Sequence, residues 1–431
     1  MSAATQSRSL KPFVLLQASS FMNLVSGSMT FMLLPWIAIQ LTGSATSAGL
    51  LITLTSIPGL LLSPIVGGFI DKYGRRRVAF ISEVGSSLLN LGLAIIALVA
   101  GLDLGSLIVV AILKTIVGAG IMSARKSLVP DAAAAGGMTL ERANSIHESV
   151  AAAGFATGPA IASILISVIG AFNSFFVVAA LGAVAAILTL MIRVVEQREA
   201  HDDDEGRNWV SYSVQGFKIV FQTPAILTIM SAFLVLAMIY LPTEMVVLPA
   251  WYNSIKEPTG LGFLLSIMAI STTVGSLLFE RVAKVLSFAN ILRVAILGVS
   301  AGMLPMSFLP PQWAMLSFGV VLGLAWGPLP VLLNTVIQRL IPANKRGRVF
   351  SLEMVLWTAG PMISMTFAGM AVDAFGVRVV YPALALLVIG ASVIVSTRKS
   401  LADLNRAEAV EAAEAVEAAE AVEPAESTES K

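Results

Sequence analysis

Lys114 is the residue whose chemistry conflicts most with its surroundings. It interrupts an otherwise charge-free stretch from Leu104 to Ala124. Counted from Leu104 at about 1.5 Å per residue, it lies about 15 Å along a helix, near the middle of a hydrocarbon layer of about 30 Å. An ammonium there costs several kcal/mol unless it is paired, hydrated or deprotonated, so its position marks a cavity or a pathway. Lysine can release its proton when buried, which arginine cannot. The midplane is also too far from either interface for the side chain to snorkel. Glu244, beside Pro242, falls near the outer end of another apolar run and has no basic residue at its depth. It is the first choice for an acid whose protonation responds to a ligand or to membrane potential. Glu83, Glu148 and Glu353 lie one to two turns from helix ends and near arginines, where structural ion pairs are the expected role.

Other chemistry is missing. There is no cysteine, which removes disulfides, thiolate metal sites and a cysteine nucleophile. His147 and His201 are the two histidines, and His201 beside Asp202 to Asp204 reads as solvated rather than as a metal ligand. No nucleophile and base, nucleotide-binding loop or metal-ligand set is visible, so neither an enzyme nor a cofactor is expected. Net charge is +1, and nothing points to nucleic acid.

The elements that must position Lys114 and Glu244 follow from composition. With 57% hydrophobic and 12% charged residues in 431, the chain cannot coat a soluble globule and reads as a polytopic membrane protein. Pro12 to Ile70 holds no charge and is long enough for two helices around LTGSATS. Val84 to Leu102 and Leu104 to Ala124 give two more, and Ser149 to Ile192 another two around GAFNS. The second half repeats the pattern through Ile219 to Thr243, Pro258 to Phe279, Val294 to Gln338 (two helices around LPPQW), Met354 to Val372 and Val379 to Thr397. The reading is therefore all-α, with twelve transmembrane helices in two bundles of six. The N-terminus reads as an uncleaved first helix.

Charge sets the expected orientation. If both termini are cytoplasmic, 24 of the 27 lysines and arginines fall in inner loops and tails, Lys256 and Arg378 fall outside, and Lys114 is in the membrane. The expected organisation is a first bundle over residues 1–194, a cytoplasmic linker over 195–223, a second bundle over 224–400 and an acidic Ala/Glu-rich disordered tail over 401–431. Glutamates every third residue from Glu408 repel on one face, so the tail reads as solvated. Leu128-Val129-Pro130 is echoed by Leu340-Ile341-Pro342, and Gly158-Pro159 by Gly360-Pro361, which supports two homologous halves.

Between the second and third helices stands GGFIDKYGRRRV, residues 67–78. Gly67, Asp71, Gly74, Arg75 and Arg76 match the signature loop of the major facilitator superfamily, which the chain resembles. In that family the loop is a breakable charge lock that ties the two halves together in one state. Lys114-x-x-x-Gly118-x-Gly120 is similar to the family's fourth-helix motif, with lysine where an arginine is usual. Gly154, Gly158 and Pro159 resemble part of the fifth-helix motif of proton-coupled exporters, although glycines four apart also simply permit close packing. The stretches LPWIAIQLTGSATSAGLL, SARKSLVPDAAAAGGMTLERANS and RLIPANKRGRVFSL are similar to the branch of macrolide-efflux and enterobactin-exporter-type permeases.

The resemblance implies the major facilitator fold and a central cavity between helices 1, 4, 7 and 10. On those helices Asn23, Lys114, Glu244, Asn334 and Gln338 are the candidate proton or substrate residues, with Trp326 as a stacking surface. Helix 1 carries no acid. The expected function is proton-coupled efflux of small amphipathic molecules by alternating access, in a multi-pass protein of the cell membrane acting as a monomer in the lipid bilayer. Proton-symport import of a nutrient, and a non-transporting membrane scaffold or sensor, are the alternatives.

Overall fold

The computed structural model describes residues 9–194, 217–341 and 343–397. Among these residues lie twelve helices long and apolar enough to cross a membrane. They are α1 (Lys11–Thr42), α2 (Ala45–Tyr73), α3 (Arg75–Val99), α4 (Leu104–Gly136), α5 (Leu140–Ile169) and α6 (Ala171–Met191). The second set is α7 (Pro224–Ser254), α8 (Pro258–Ala283), α9 (Phe288–Ser307), α10 (Gln312–Leu340), α11 (Ala343–Phe375) and α12 (Val377–Ser396). No strand occurs among the described residues. Most of the expected linker, and the whole acidic tail with His201, lie outside the described residues, while 217–222 is helical and leads into α7.

Local sequence explains where the helices turn. Proline sits in the first turn of α1, α7 and α8, where its missing N–H costs nothing. Asp103 opens α4 by accepting from the Ser106 amide (3.0 Å) and hydroxyl (2.7 Å), and these bonds hold its carboxyl below the usual range. α1 closes on Gly43 in the left-handed region, which lets α2 start two residues later. The charged residues Arg125, Lys126 and Asp131, expected in a loop, lie on a continuation of α4 that runs to Gly136.

Within the first half α1 packs on α5 and α6, and α3 on α6; within the second, α10 packs on α8 and α9, and α7 on α11. Most of the contact between the halves comes from two helix pairs, α5 with α8 and α2 with α11, with smaller contacts where the part of α7 beyond Pro242 meets α1 and α2. Both pairs depend on small residues that let backbones approach, the usual device where lipid gives no hydrophobic drive between helices. Gly262 of α8 lies against the Pro159 carbonyl and Ser163 of α5. The Ala160 amide, in the turn disturbed by Pro159, donates to Ser266 Oγ across the same seam (3.0 Å). In α2–α11, Gly49 lies against the Met365 carbonyl, and Thr53 Oγ1 donates to the Met362 carbonyl (2.6 Å). The Asp373 carboxylate of α11 accepts from the Ala45 amide (2.7 Å) and the Thr46 amide (3.0 Å) at the start of α2.

These seam contacts fall within about 20 Å of one end of the molecule, by the helical rise. That end carries the turns at residues 43–44, 170, 255–257 and 376, and its basic residues are Lys256 and Arg378. We call it the charge-poor end and the opposite one the basic end.

Candidate functional site

Three of the four expected cavity helices are irregular at mid-length, and the candidate residues sit beside the breaks. α4 is interrupted at Ala119 and Gly120, just beyond Lys114. α7 widens into a π-helical turn over Thr243–Val247, which contains Glu244. α10 breaks at Gly327, between Trp326 and Pro328. Pro242 and Pro328 lack the amide a regular helix needs, and a broken or widened turn leaves backbone groups free near the middle of the span. Such discontinuities cluster where transporters bind substrates and ions.

The π turn corrects one expectation. Pro242 does not end the seventh helix, which continues to Ser254, so Glu244 lies ten residues inside it rather than near its end. The added π-type residue lets the helix pass the proline instead of stopping at it. Tyr240, one turn earlier, places its hydroxyl beside the Glu244 carboxylate.

Lys114 Nζ donates to Thr30 Oγ1 of α1 (2.8 Å), and Thr30 Oγ1 in turn donates to the Ser26 carbonyl (2.9 Å). No carboxylate among the described residues pairs with Lys114, and it forms no ion pair with Glu244. Both residues are only half-buried although protein surrounds them, as expected of side chains facing an internal gap. Asn23 is likewise half-buried on α1. Asn334 and Gln338 are exposed on α10, opposite a buried face of Leu329, Leu332, Leu333, Val336 and Ile337. Two amides on the exposed side of a membrane helix fit a water-filled gap far better than lipid.

The second half also contains an aromatic cluster that the sequence did not expose. Trp326 is buried, its ring 4.4 Å from Tyr240 and 5.8 Å from Phe233 between centroids. Protein rings therefore flank the side chain expected to stack with substrate. Phe233 stacks on Trp357 of α11 (4.7 Å), and these two rings line a small cleft with Met230, Leu234, Leu333 and Glu353. Glu353 has no ion-pair partner among the described residues, in contrast to the arginine tie expected of it. Two nearby arginines have other contacts: Arg346 Nε donates to the Ile341 carbonyl (2.8 Å), and Arg339 lies over the Phe288 ring.

The other two acids do form ties. Glu83 of α3 pairs with Arg125 of α4, and both are buried. Arg125 also donates to Ser19 and Ser20 of α1 (2.8 Å each), so one guanidinium joins three helices. Glu148 meets Lys126, not an arginine, at 3.4 Å on the exposed surface. His147 bonds to Gln17 (3.1 Å) and helps hold α5 to α1.

In the signature loop, α2 ends at Tyr73 and α3 starts at Arg75, with Gly74 between them at φ 90°. Arg75 reaches Asp131 and the Ser127 carbonyl on α4 (3.0 Å each), and Arg76 donates to the Ile192 carbonyl (2.6 Å). These bonds hold the loop to its own half. The Asp71 side chain and the surroundings of Gly67 lie outside what the structure describes. The fifth-helix glycines are close-packing positions. Ser28 Oγ of α1 donates to the Gly154 carbonyl (3.1 Å), and a Cβ on Gly158 would collide with Ser28 Oγ. Pro159, one residue on, faces the α5–α8 seam.

Comparison with known proteins agrees with this architecture. The model of the Major Facilitator Superfamily matches residues 17–352 and 243–421. A relative named multidrug efflux pump Tap, from Mycolicibacterium fortuitum, is 30% identical over 384 residues, covering 87% of this chain and 92% of its own. A Mycobacterium tuberculosis protein of the same name is 27% identical over 400 residues, covering 92% and 95%. Among solved structures, a point mutant of the nucleoside transporter NupG superimposes with a TM-score of 0.76 at 14% identity, covering 92% of this chain and 100% of its own. A bacterial homolog of the human lysosomal transporter Spinster gives 0.72 at 14%, covering 93% and 99%. Twelve apolar helices, three of them irregular at mid-length, joined as two halves, together with a family match over most of the chain, place it in the Major Facilitator Superfamily as a multi-pass transporter of the cell membrane.

Proposed function

We propose that this chain exports small amphipathic molecules in exchange for protons, by alternating access to a cavity between its two halves. One observation carries the reading: the described seam contacts gather at the charge-poor end, while the broken helices hold Lys114, Glu244, Asn334 and Gln338 farther in. A gap closed at one end and polar in the middle is one state of an alternating-access cycle. With the basic end cytoplasmic, as the distribution of lysine and arginine favours, the gap would face the cytoplasm and load from it. Two relatives named multidrug efflux pumps support the outward direction.

Lys114 and Glu244 are the candidate proton-exchange groups, a base and an acid at similar depth that no ion pair among the described residues neutralises. Glu353 is a third acid, on an aromatic wall suited to flat or cationic substrates. The molecule acts as a monomer in the bilayer, since each half already meets its partner within the chain. The test is dye accumulation in cells expressing the protein. Wild type should lower the steady-state level of a lipophilic cationic dye, a protonophore should restore it, and Lys114→Met should behave as empty vector. Higher dye levels in expressing cells would instead indicate import.

A further inference from the structure

The signature loop has a counterpart at the opposite end of the molecule. Residues 67–78 read Gly-x-x-x-Asp-x-Tyr-Gly-x-Arg-x-Val, and residues 369–380 read Gly-x-x-x-Asp-x-Phe-Gly-x-Arg-x-Val. Gly67, Asp71, Tyr73, Gly74, Arg76 and Val78 thus correspond to Gly369, Asp373, Phe375, Gly376, Arg378 and Val380. The backbones agree as well. Gly74 and Gly376 stand at φ 90° and 78°, a region that favours glycine, and each separates two helices. The Gly74 amide donates to the Ile70 carbonyl (2.9 Å) and the Val78 amide to the Gly74 carbonyl (3.1 Å). The Gly376 amide donates to the Val372 carbonyl (2.8 Å) and the Val380 amide to the Gly376 carbonyl (3.1 Å). One loop joins α2 to α3 at the basic end, the other α11 to α12 at the charge-poor end.

The second copy is engaged across the seam. Asp373 accepts from the Ala45 amide (2.7 Å), the Thr46 amide (3.0 Å), the Thr46 hydroxyl (2.6 Å) and the Ser44 hydroxyl (2.5 Å), all at the start of α2 in the other half. α2 has no side-chain cap of its own: Ser44 occupies the cap position without bonding to its helix. The cap comes instead from the opposite half of the molecule. Asp373 also lies in the last turn of α11, where the negative end of its own helix disfavours a carboxylate, and the positive end of α2 offsets that. Gly369, the first residue of the repeat, packs against the Ala45 carbonyl and so brings α11 close enough for the cap.

Separating the halves at this end removes four donors from Asp373 and leaves two amides of α2 uncapped at the same time. No ion pair among the described residues compensates; Arg378, the nearest basic residue in sequence, lies over the Trp251 ring. We infer that residues 369–380 are an inverted second copy of the signature loop, and that Asp373 is the latch that holds the charge-poor end shut. It is a positioning residue: it touches no substrate and sets which end of the gap is closed. The inference rests on the alternating-access reading above but needs neither proton coupling nor a substrate.

The absence of cysteine supplies the test. Ser163 is fully buried in the α5–α8 seam, the other joint of the charge-poor end, and Ser163→Cys is nearly isosteric. In lipid nanodiscs the reaction of this single thiol with a charged maleimide reports whether the whole end opens. On that background Asp373→Ala should raise the labelling rate on the order of tenfold, the size expected for a lost charged cap. Asp373→Asn, which keeps the shape and one acceptor, should fall between. An unchanged rate in both variants, with folding verified by size-exclusion profile, would overturn the latch, as would a lower melting temperature with no change in labelling. Failure of proton-coupled export would leave these rates untouched, so the two readings fail separately.

Discussion

Lys114 lies in the middle of the first half with one hydroxyl as its hydrogen-bond partner. Losing a hydrogen bond of a charged group costs about 1.5–3 kcal/mol, about 10- to 100-fold in rate if it supports the transport step. Lys114→Met is expected to lower transport by that factor while the protein still reaches the membrane, as measured by dye efflux normalised to surface protein. Lys114→Arg separates two roles. Arginine keeps the charge but not the ability to release a proton, so full transport with an unchanged pH profile would show that Lys114 does not carry the exchanged proton. The Glu83–Arg125 pair is of another kind, buried and tied to three helices. Removing one partner of such a pair strands a buried charge, at about 3–5 kcal/mol. Glu83→Gln should therefore lower the melting temperature of the purified protein markedly, and Glu83→Leu combined with Arg125→Met should recover most of the loss.

The helices were legible in the sequence because hydrocarbon leaves the backbone few alternatives and charge-free runs mark the spans directly. Their ends were less so. A proline beside an acid suggested that the seventh helix stops near Pro242, but a π turn carries it on to Ser254. The breaks in α4 and α10 were written as Gly-x-Gly and Gly-Pro, yet only the fold reveals that they fall at similar depth. The inverted loop was hidden for a different reason: its two copies sit on helices 2 and 11, whereas a search between halves compares helix 2 with helix 8. The aromatic cluster could not be read at all, since Phe233, Tyr240, Trp326 and Trp357 come together from three helices. At this scale the α1–α5 seam is open to test. A methyl group on Gly158 meets Ser28 Oγ and the Met29 amide, and overpacking of this kind costs about 1–3 kcal/mol. Gly158→Ala should lower thermal stability, and Ser28→Ala should relieve part of that loss, with the fixed backbone at Met29 limiting the rescue.

The molecule as a whole is two bundles joined mainly along two small-residue seams, with charge sorted to one end. If that charge fixes orientation, Lys256→Cys should react with an impermeant maleimide in intact cells, and Lys284→Cys only after permeabilisation; the reverse pattern would invert the reading of which face loads. The central claim, export coupled to protons, is tested most directly by proton flux in everted membrane vesicles with an acid interior. Adding tetraphenylphosphonium or another lipophilic compound should partly collapse the gradient in vesicles holding the wild-type protein, because each molecule carried inward returns protons outward, and should leave it intact in the Lys114→Met variant. A gradient that no compound in a broad panel disturbs, with folded protein present in the membrane, would contradict proton-coupled export.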